Sequence, residues 1–264
     1  MSKSIELFQS GQLDAAVEQA AQDVKASPSN ITLRSLFAEF LCFTRDWQRV
    51  DKQLDAISKI DKTSVVGVSL LKHLLRSEVS REEAYEQGRV PEFVEKPSES
   101  MQKRLEALTH FRSGDAAKSV ELIAEAVEME VPVTGAHNGE AFSDFRDMDD
   151  LLGPIVEVFT ATGEYYWLDL NQVRSLELDS PSNLVDQLWR SARIETVGDL
   201  RGRIYLPALY YGSDKSEDGR TRIGRATDWD GGEGSPVTGK GQREFLVGEE
   251  PVTIMQLSVL TFGE

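Results

Sequence analysis

One arrangement occurs three times in the first half of the chain. Phe8-x-x-Gly11 is followed by Leu13, Ala16, Val17 and Ala20; Phe43-x-x-Asp46 by Trp47, Val50, Leu54 and Ile57; Phe111-x-x-Gly114 by Ala116, Val120, Ile123 and Val127. The phenylalanines stand 35 and then 68 residues apart, close to one and two periods of roughly 34 residues. Each time an apolar helix ends, a Gly or Asp turns the chain, and a second helix with one apolar face begins. Such a unit cannot bury its apolar face alone, so several must stack into a common core.

Ser27-Pro28-Ser29-Asn30 is a stop-and-cap signal between the first and second units. A degenerate unit fills the gap before the third, with one helix over residues 65–75 and another over 80–87, opened by a capping box at Ser80-x-x-Glu83. Pro91 stops this unit. A helix restarts after Pro97, with Ser98 or Ser100 as cap. This half resembles tetratricopeptide repeats without meeting that family's full residue pattern, and the resemblance implies a groove for a peptide or helix.

After Val131-Pro132 the pattern changes. Residues 133–139 read as a connecting loop and 144–152 as a short helix ended by Gly153-Pro154. Strands follow over 155–160, 165–170 and 173–178, the first two joined by a turn at Thr162-Gly163. Asp179-Ser180-Pro181-Ser182-Asn183 caps a helix over 184–192, with Leu184, Leu188 and Trp189 on one face. Further strands are expected over 203–206, 209–211, 242–247 and 252–262, with exposed loops over 212–241 around a short strand containing Ile223. The fold class is therefore α+β: a tetratricopeptide-like helical repeat domain over residues 1–130, then a mostly β domain with one main helix over 140–264.

The net charge of −16 limits the partners. Residues 1–130 carry 17 Lys+Arg against 22 Asp+Glu, and residues 131–264 carry 12 against 23. Such a surface repels phosphate backbones, which argues against nucleic acid. No apolar run approaches the roughly 18 residues of a membrane span, the N-terminus lacks a signal-peptide core, and Cys42 is the only cysteine. A cytoplasmic protein without membrane partners is expected.

Chemistry-bearing patterns are sparse. Asp144, Asp147, Asp149 and Asp150 cluster around Arg146; they can ligate a hard cation, or cap backbone amides and pair across a domain junction. His137 beside them is the one arrangement able to serve as a base with an orienting acid. His73, His110 and His137 share no metal-ligand spacing. Gly231-Gly232-Glu233-Gly234 and Gly239-Lys240-Gly241 precede a strand pattern, whereas a phosphate loop opens a helix. No catalytic set, metal site or cofactor motif is assigned.

The order of short motifs is more specific than any one of them. The helical half leads to Phe142-Ser143-Asp144-Phe145-Arg146-Asp147-Met148-Asp149-Asp150, then Gly163-Glu164-Tyr165-Tyr166-Trp167, Leu206-Pro207 with Tyr210-Tyr211-Gly212-Ser213, and Gly224-Arg225-Ala226-Thr227-Asp228-Trp229. Over nearly the full length this resembles the ImpE (also TagJ) family, accessory proteins of bacterial type VI secretion systems. The resemblance implies a non-enzymatic cytoplasmic adaptor that binds the N-terminal helix of the small contractile-sheath subunit and is linked to sheath assembly and disassembly. It points to Asp144, Arg146, Asp147, Asp149, Asp150, Tyr210, Tyr211, Arg225, Asp228 and Trp229 as partner-binding or interdomain residues. Two other readings stand beside it: a metal-dependent enzyme using the Asp144–Asp150 carboxylates with His137, and a scaffold for the sheath-disassembly ATPase.

Overall fold

The computed structural model describes residues 2–263. It opens with α1 (Lys3–Gln9), α2 (Leu13–Ala26), α3 (Ile31–Phe43), α4 (Trp47–Ile60), α5 (Val65–Gln87), α6 (Glu99–Arg112) and α7 (Ala116–Met129). Helices α1/α2, α3/α4 and α6/α7 pack as antiparallel hairpins, and α5 lies between the last two pairs. The helices that close these hairpins start at Leu13, Trp47 and Ala116, 34 and then 69 residues apart. Asn30, Asp46, Ser98 and Asp115 cap α3, α4, α6 and α7 by accepting backbone amides.

Two expectations change in this half. Residues 65–75 and 80–87 form one helix, α5, because nothing between them breaks a helix; Ser80 is buried mid-helix instead of capping a second one. The hairpin turns at Gly11 (φ +81°) and Gly114 (φ +84°) have their counterpart at Arg45 (φ +56°), one residue before Asp46. An arginine therefore occupies a left-handed position that favours glycine.

Thirteen strands follow among the described residues: β1 (Gly135–His137), β2 (Glu140–Phe142), β3 (Phe145–Asp147), β4 (Ile155–Thr160), β5 (Tyr165–Asp169), β6 (Val173–Leu178), β7 (Trp189–Thr196), β8 (Arg201–Pro207), β9 (Thr227–Gly232), β10 (Ser235–Gly241), β11 (Glu244–Val247), β12 (Glu250–Thr253) and β13 (Val259–Phe262). An eight-stranded sheet runs in the order β2-β1-β13-β6-β7-β8-β4-β5, beside a three-stranded sheet β12-β11-β3 and the hairpin β9–β10. Its neighbouring strands are antiparallel.

The sheet half also corrects several expectations. Residues 144–152 form β3 and a run of turns, because the aspartate side chains take local amides that a helix would need free. Residues 184–192 give a single 3-10 turn, Val185–Gln187, and then β7, where pairing to β6 and β8 overrides the helical spacing of Leu184, Leu188 and Trp189. The only α-helix of this half among the described residues is α8 (Gly219–Arg222), and Ile223, expected in a strand, caps it. The glycine-rich stretch forms the β9–β10 hairpin, residues 209–211 make only a bridge from Leu209 to Gln242, residues 252–262 divide into β12 and β13, and the expected loop over 133–139 contains β1.

Strand β4 explains how the two halves join. Ile155 and Phe159 belong to the apolar core of the helical half, whereas Val156 and Val158 belong to the core beyond the sheet. This alternation is the period of two that a strand imposes. Helix α5 lies on the first face: His73 Nδ1 is 2.7 Å from the Ala161 carbonyl, and Ser77 Oγ donates to the Glu164 carbonyl at 3.0 Å. Past α5, Glu92 bridges to β5, with its amide donating to Tyr165 O and its carbonyl accepting from Trp167. No helix among the described residues is long and apolar enough to cross a membrane.

Candidate functional site

Two features stand out, a buried lattice of charges and an open apolar groove. In the lattice, Glu157 occupies the helix-facing side of β4, between Ile155 and Phe159, and is 0% exposed. It accepts two bonds from Arg81 on α5 (2.9 and 2.8 Å), one from Arg243 (3.2 Å) and one from the Tyr165 hydroxyl (2.5 Å). Arg243 continues to Asp147 at 2.5 and 2.9 Å, and the Tyr210 hydroxyl reaches the same carboxylate at 3.0 Å. On the other side, Glu78 accepts from Arg45 (2.9 Å) and from the Trp189 indole (3.0 Å). Arg45 also reaches Glu82, which accepts from the Trp47 indole. Acids and guanidiniums thus alternate from the α3–α4 turn, through α5, to the sheets. Burial pulls the Glu157 carboxyl upward, but Arg81 and Arg243 outweigh it and hold the group below its usual range.

The sequence-predicted residues separate into distinct places. Asp147 and Asp149 are buried; Asp149 accepts the amides of Leu151 (2.9 Å) and Gly239 (3.0 Å), and burial together with the neighbouring Asp147 pushes its carboxyl up to about 7. Asp150 accepts the Val237 amide at 2.7 Å, and its carbonyl receives Arg104. Trp229 packs edge-on against the buried Tyr210 ring, with 5.5 Å between centroids. Asp144 and Arg146 pair on the surface at 3.2 Å. Tyr211 stacks on Tyr85 and donates to Glu86. Arg225 donates to the Gln9 carbonyl, and Asp228 is exposed. His137 lies in β1 opposite Glu140, with Asn138 as its hydrogen-bonding neighbour. Among the described residues, no group of three or more His, Cys, Asp or Glu side chains is placed to hold a metal ion.

The groove lies on the other flank of α5. Ile31, Ala38 and Glu39 of α3, Leu54 and Ile57 of α4, and Gly67, Val68 and Leu71 of α5 line one side. Val185, Trp189 and Tyr205 close the other, around a volume of about 620 Å³. None of the ten sequence-predicted residues lines it. Its wall is predominantly apolar, and α5 extends that character at the rim with Val65 and Val66, which are 46% and 81% exposed. Two carboxylates interrupt the wall: Asp186, which accepts the Ser182 and Asn183 amides, and Glu39. Glu39 accepts no hydrogen bond and forms no ion pair among the described residues, and burial pushes its carboxyl up to about 7.

Sequence reasoning missed Glu39, Arg81, Glu157 and Arg243. For two of them a signal was present: Glu39 is the lone charge in Leu36-Phe37-Ala38-Glu39-Phe40-Leu41, and Glu157 the lone charge in Ile155-Val156-Glu157-Val158-Phe159. An acid inside an apolar run is either buried with a partner or set into a site. Arg81 and Arg243 lie among other polar residues and carry no comparable mark.

Residues 139–261 match the family model described as ImpE protein. Over 257 residues, 97% of this chain and 90% of the relative, the sequence is 29% identical to the type VI secretion system accessory component TagJ of Pseudomonas aeruginosa. The crystal structure of protein VPA1032 from Vibrio parahaemolyticus is similar with a TM-score of 0.91 at 29% identity, covering 100% of this chain and 98% of that one. The family match lies in the sheet half, and the two full-length similarities, to TagJ and to VPA1032, extend across the helices as well.

Proposed function

We propose that this protein is a cytoplasmic, non-enzymatic accessory component of a type VI secretion system, an adaptor that binds the N-terminal helix of the small contractile-sheath subunit. The similarity to TagJ supports the system. The observation that carries the binding mode is the groove between α3, α4, α5 and the segment before β7. Each leucine-sized side chain removed from water there contributes about 1.5–3 kcal/mol, part of which offsets the lost freedom of the partner. The acidic surface favours a basic partner and speeds its encounter.

In this reading residues 1–130 and 140–264 act as two domains held as one unit by the charge lattice. Asp147, Asp149, Asp150, Tyr210, Tyr211 and Arg225 serve that junction, and Asp144, Arg146, Asp228 and Trp229 are left for contacts outside the groove. The metal-dependent enzyme is the weaker alternative, because Asp147 and Asp149 already spend their oxygens on Arg243, Tyr210 and backbone amides.

Calorimetric titration with a synthetic peptide of the cognate sheath subunit's N-terminal helix tests the proposal. Saturable binding, lost when the peptide's apolar positions are made charged, is expected. Absence of binding at high micromolar peptide, with binding to the sheath-disassembly ATPase in its place, would replace it with the scaffold reading.

A further inference from the structure

We infer that Glu39 and Gly67 decide which helix the groove accepts: an amphipathic helix whose apolar face carries one lysine or arginine, directed at Glu39, and whose backbone passes over Gly67. The inference rests on the groove reading above and names the chemistry of its occupant.

Glu39 sits on α3 between Ala38 and Phe40, both buried. The four buried carboxylates among the described residues, Glu78, Asp147, Asp149 and Glu157, each have guanidinium, indole, hydroxyl or amide partners. Glu39 has none, and the groove lining contains no Lys or Arg to supply one. A carboxylate drawn partly out of water without a counter-charge is unfavourable. A basic residue entering the groove removes that defect and adds an attraction strengthened by the apolar surroundings.

Gly67 is a second, independent observation. It stands in the third position of α5 without a left-handed backbone, and a Cβ built there meets nothing within 4 Å. Neither conformation nor packing in the free chain requires glycine, and alanine has the higher helix propensity. A partner backbone in close approach gives a reason for the missing side chain. The occupant is a helix and not an extended segment because the walls facing α3, α4 and α5 are helical. Their backbone groups are already paired, so an extended peptide would leave its own amides unpaired over an apolar surface, whereas a helix satisfies them internally. With a net charge of −16, a second copy of this chain is repelled, while a basic helix is attracted.

The test uses the full chain and the sheath-subunit helix peptide, titrated into wild type, Glu39→Gln, Glu39→Lys and Gly67→Leu, with each basic residue of the peptide changed in turn to glutamine and to glutamate. Glu39→Gln is expected to weaken binding roughly tenfold or more. One peptide position should be coupled to it: its glutamine form loses nothing further against Glu39→Gln, and its glutamate form recovers binding to Glu39→Lys. Gly67→Leu should abolish binding while melting at or above the wild-type temperature, which separates a blocked groove from a failed fold. If wild type binds and only Gly67→Leu loses binding, the role of Glu39 is wrong and the groove reading stands as an unspecific apolar seat; if all three variants bind as well as wild type, the peptide sits outside the groove and the inference and the groove reading both fall. If wild type does not bind the peptide, both fall.

Discussion

Arg81→Met removes the centre of the charge lattice while keeping a long unbranched side chain. Arg81 is 3% exposed at its side chain and Glu157 is 0% exposed, so neither group has water in reserve. The substitution removes the 2.9 and 2.8 Å bonds to Glu157, the 3.4 Å contact with Glu78 and the 3.2 Å bond to the Leu209 carbonyl. Glu157 keeps Arg243 and Tyr165, and Glu78 keeps Arg45 and Trp189. Half the donors to Glu157 are lost and a buried negative charge is left under-compensated, a change that costs about 3–5 kcal/mol. For a chain of this size that is a fall in melting temperature of roughly 10 °C. Calorimetry and urea unfolding measure it, and Arg81→Met/Glu157→Met should recover a large part of the loss because it removes both charges. A fall below about 2 °C for the single variant would refute the view that this lattice holds the helices to the sheet.

Arg45 supports the lattice from a left-handed backbone, so Arg45→Ala loses the ion pairs and keeps the strain, whereas Arg45→Gly loses the pairs but relaxes the backbone; Arg45→Gly should unfold about 1 kcal/mol less readily than Arg45→Ala in urea. Glu39 has a folded pKa raised to about 7 from an ordinary 4.5, so its contribution is intact below pH 4.5 and is lost as pH rises through 7. Glu39→Gln should therefore match wild type near pH 4.5 and exceed it by about 1–3 kcal/mol at pH 8, read as the difference between the two urea curves at each pH. Taking that difference matters because buried Asp149, also raised to about 7, titrates over the same window in both proteins. Asp149→Asn keeps one acceptor oxygen but turns an amide nitrogen toward either Leu151 N or Gly239 N, and should lower stability by about 1–3 kcal/mol in the same assay.

The helical hairpins were legible because each carries its own stop, turn and start: the end of α3, the start of α4, and the Ser98 cap of α6 are local facts. Strands β4 and β6 were legible because alternation and apolar runs are also local. The α5 region was misread because polar Arg76, Ser77 and Glu78 resemble a break until Arg81, Glu78 and Ser77 are seen buried against the sheet. Residues 184–192 were misread because helical spacing in a short window coincides with a strand that pairs on both edges. The aspartate cluster announced itself, but its partner Arg243 is 96 positions away and no spacing rule joins them. The groove was illegible for the same reason, since α3, α5 and Tyr205 meet only in three dimensions.

The most direct test of the groove is hydrogen exchange on the full chain, with and without a saturating amount of the sheath-subunit helix peptide. Binding in the groove predicts slower exchange over residues 31–42, the start of α5 at residues 63–71, and residues 183–189, with residues 144–152 and the β9–β10 hairpin unchanged. Protection confined to residues 144–152 and 227–241, with the α3–α5 amides unaffected, would place the partner on the aspartate face and contradict this account.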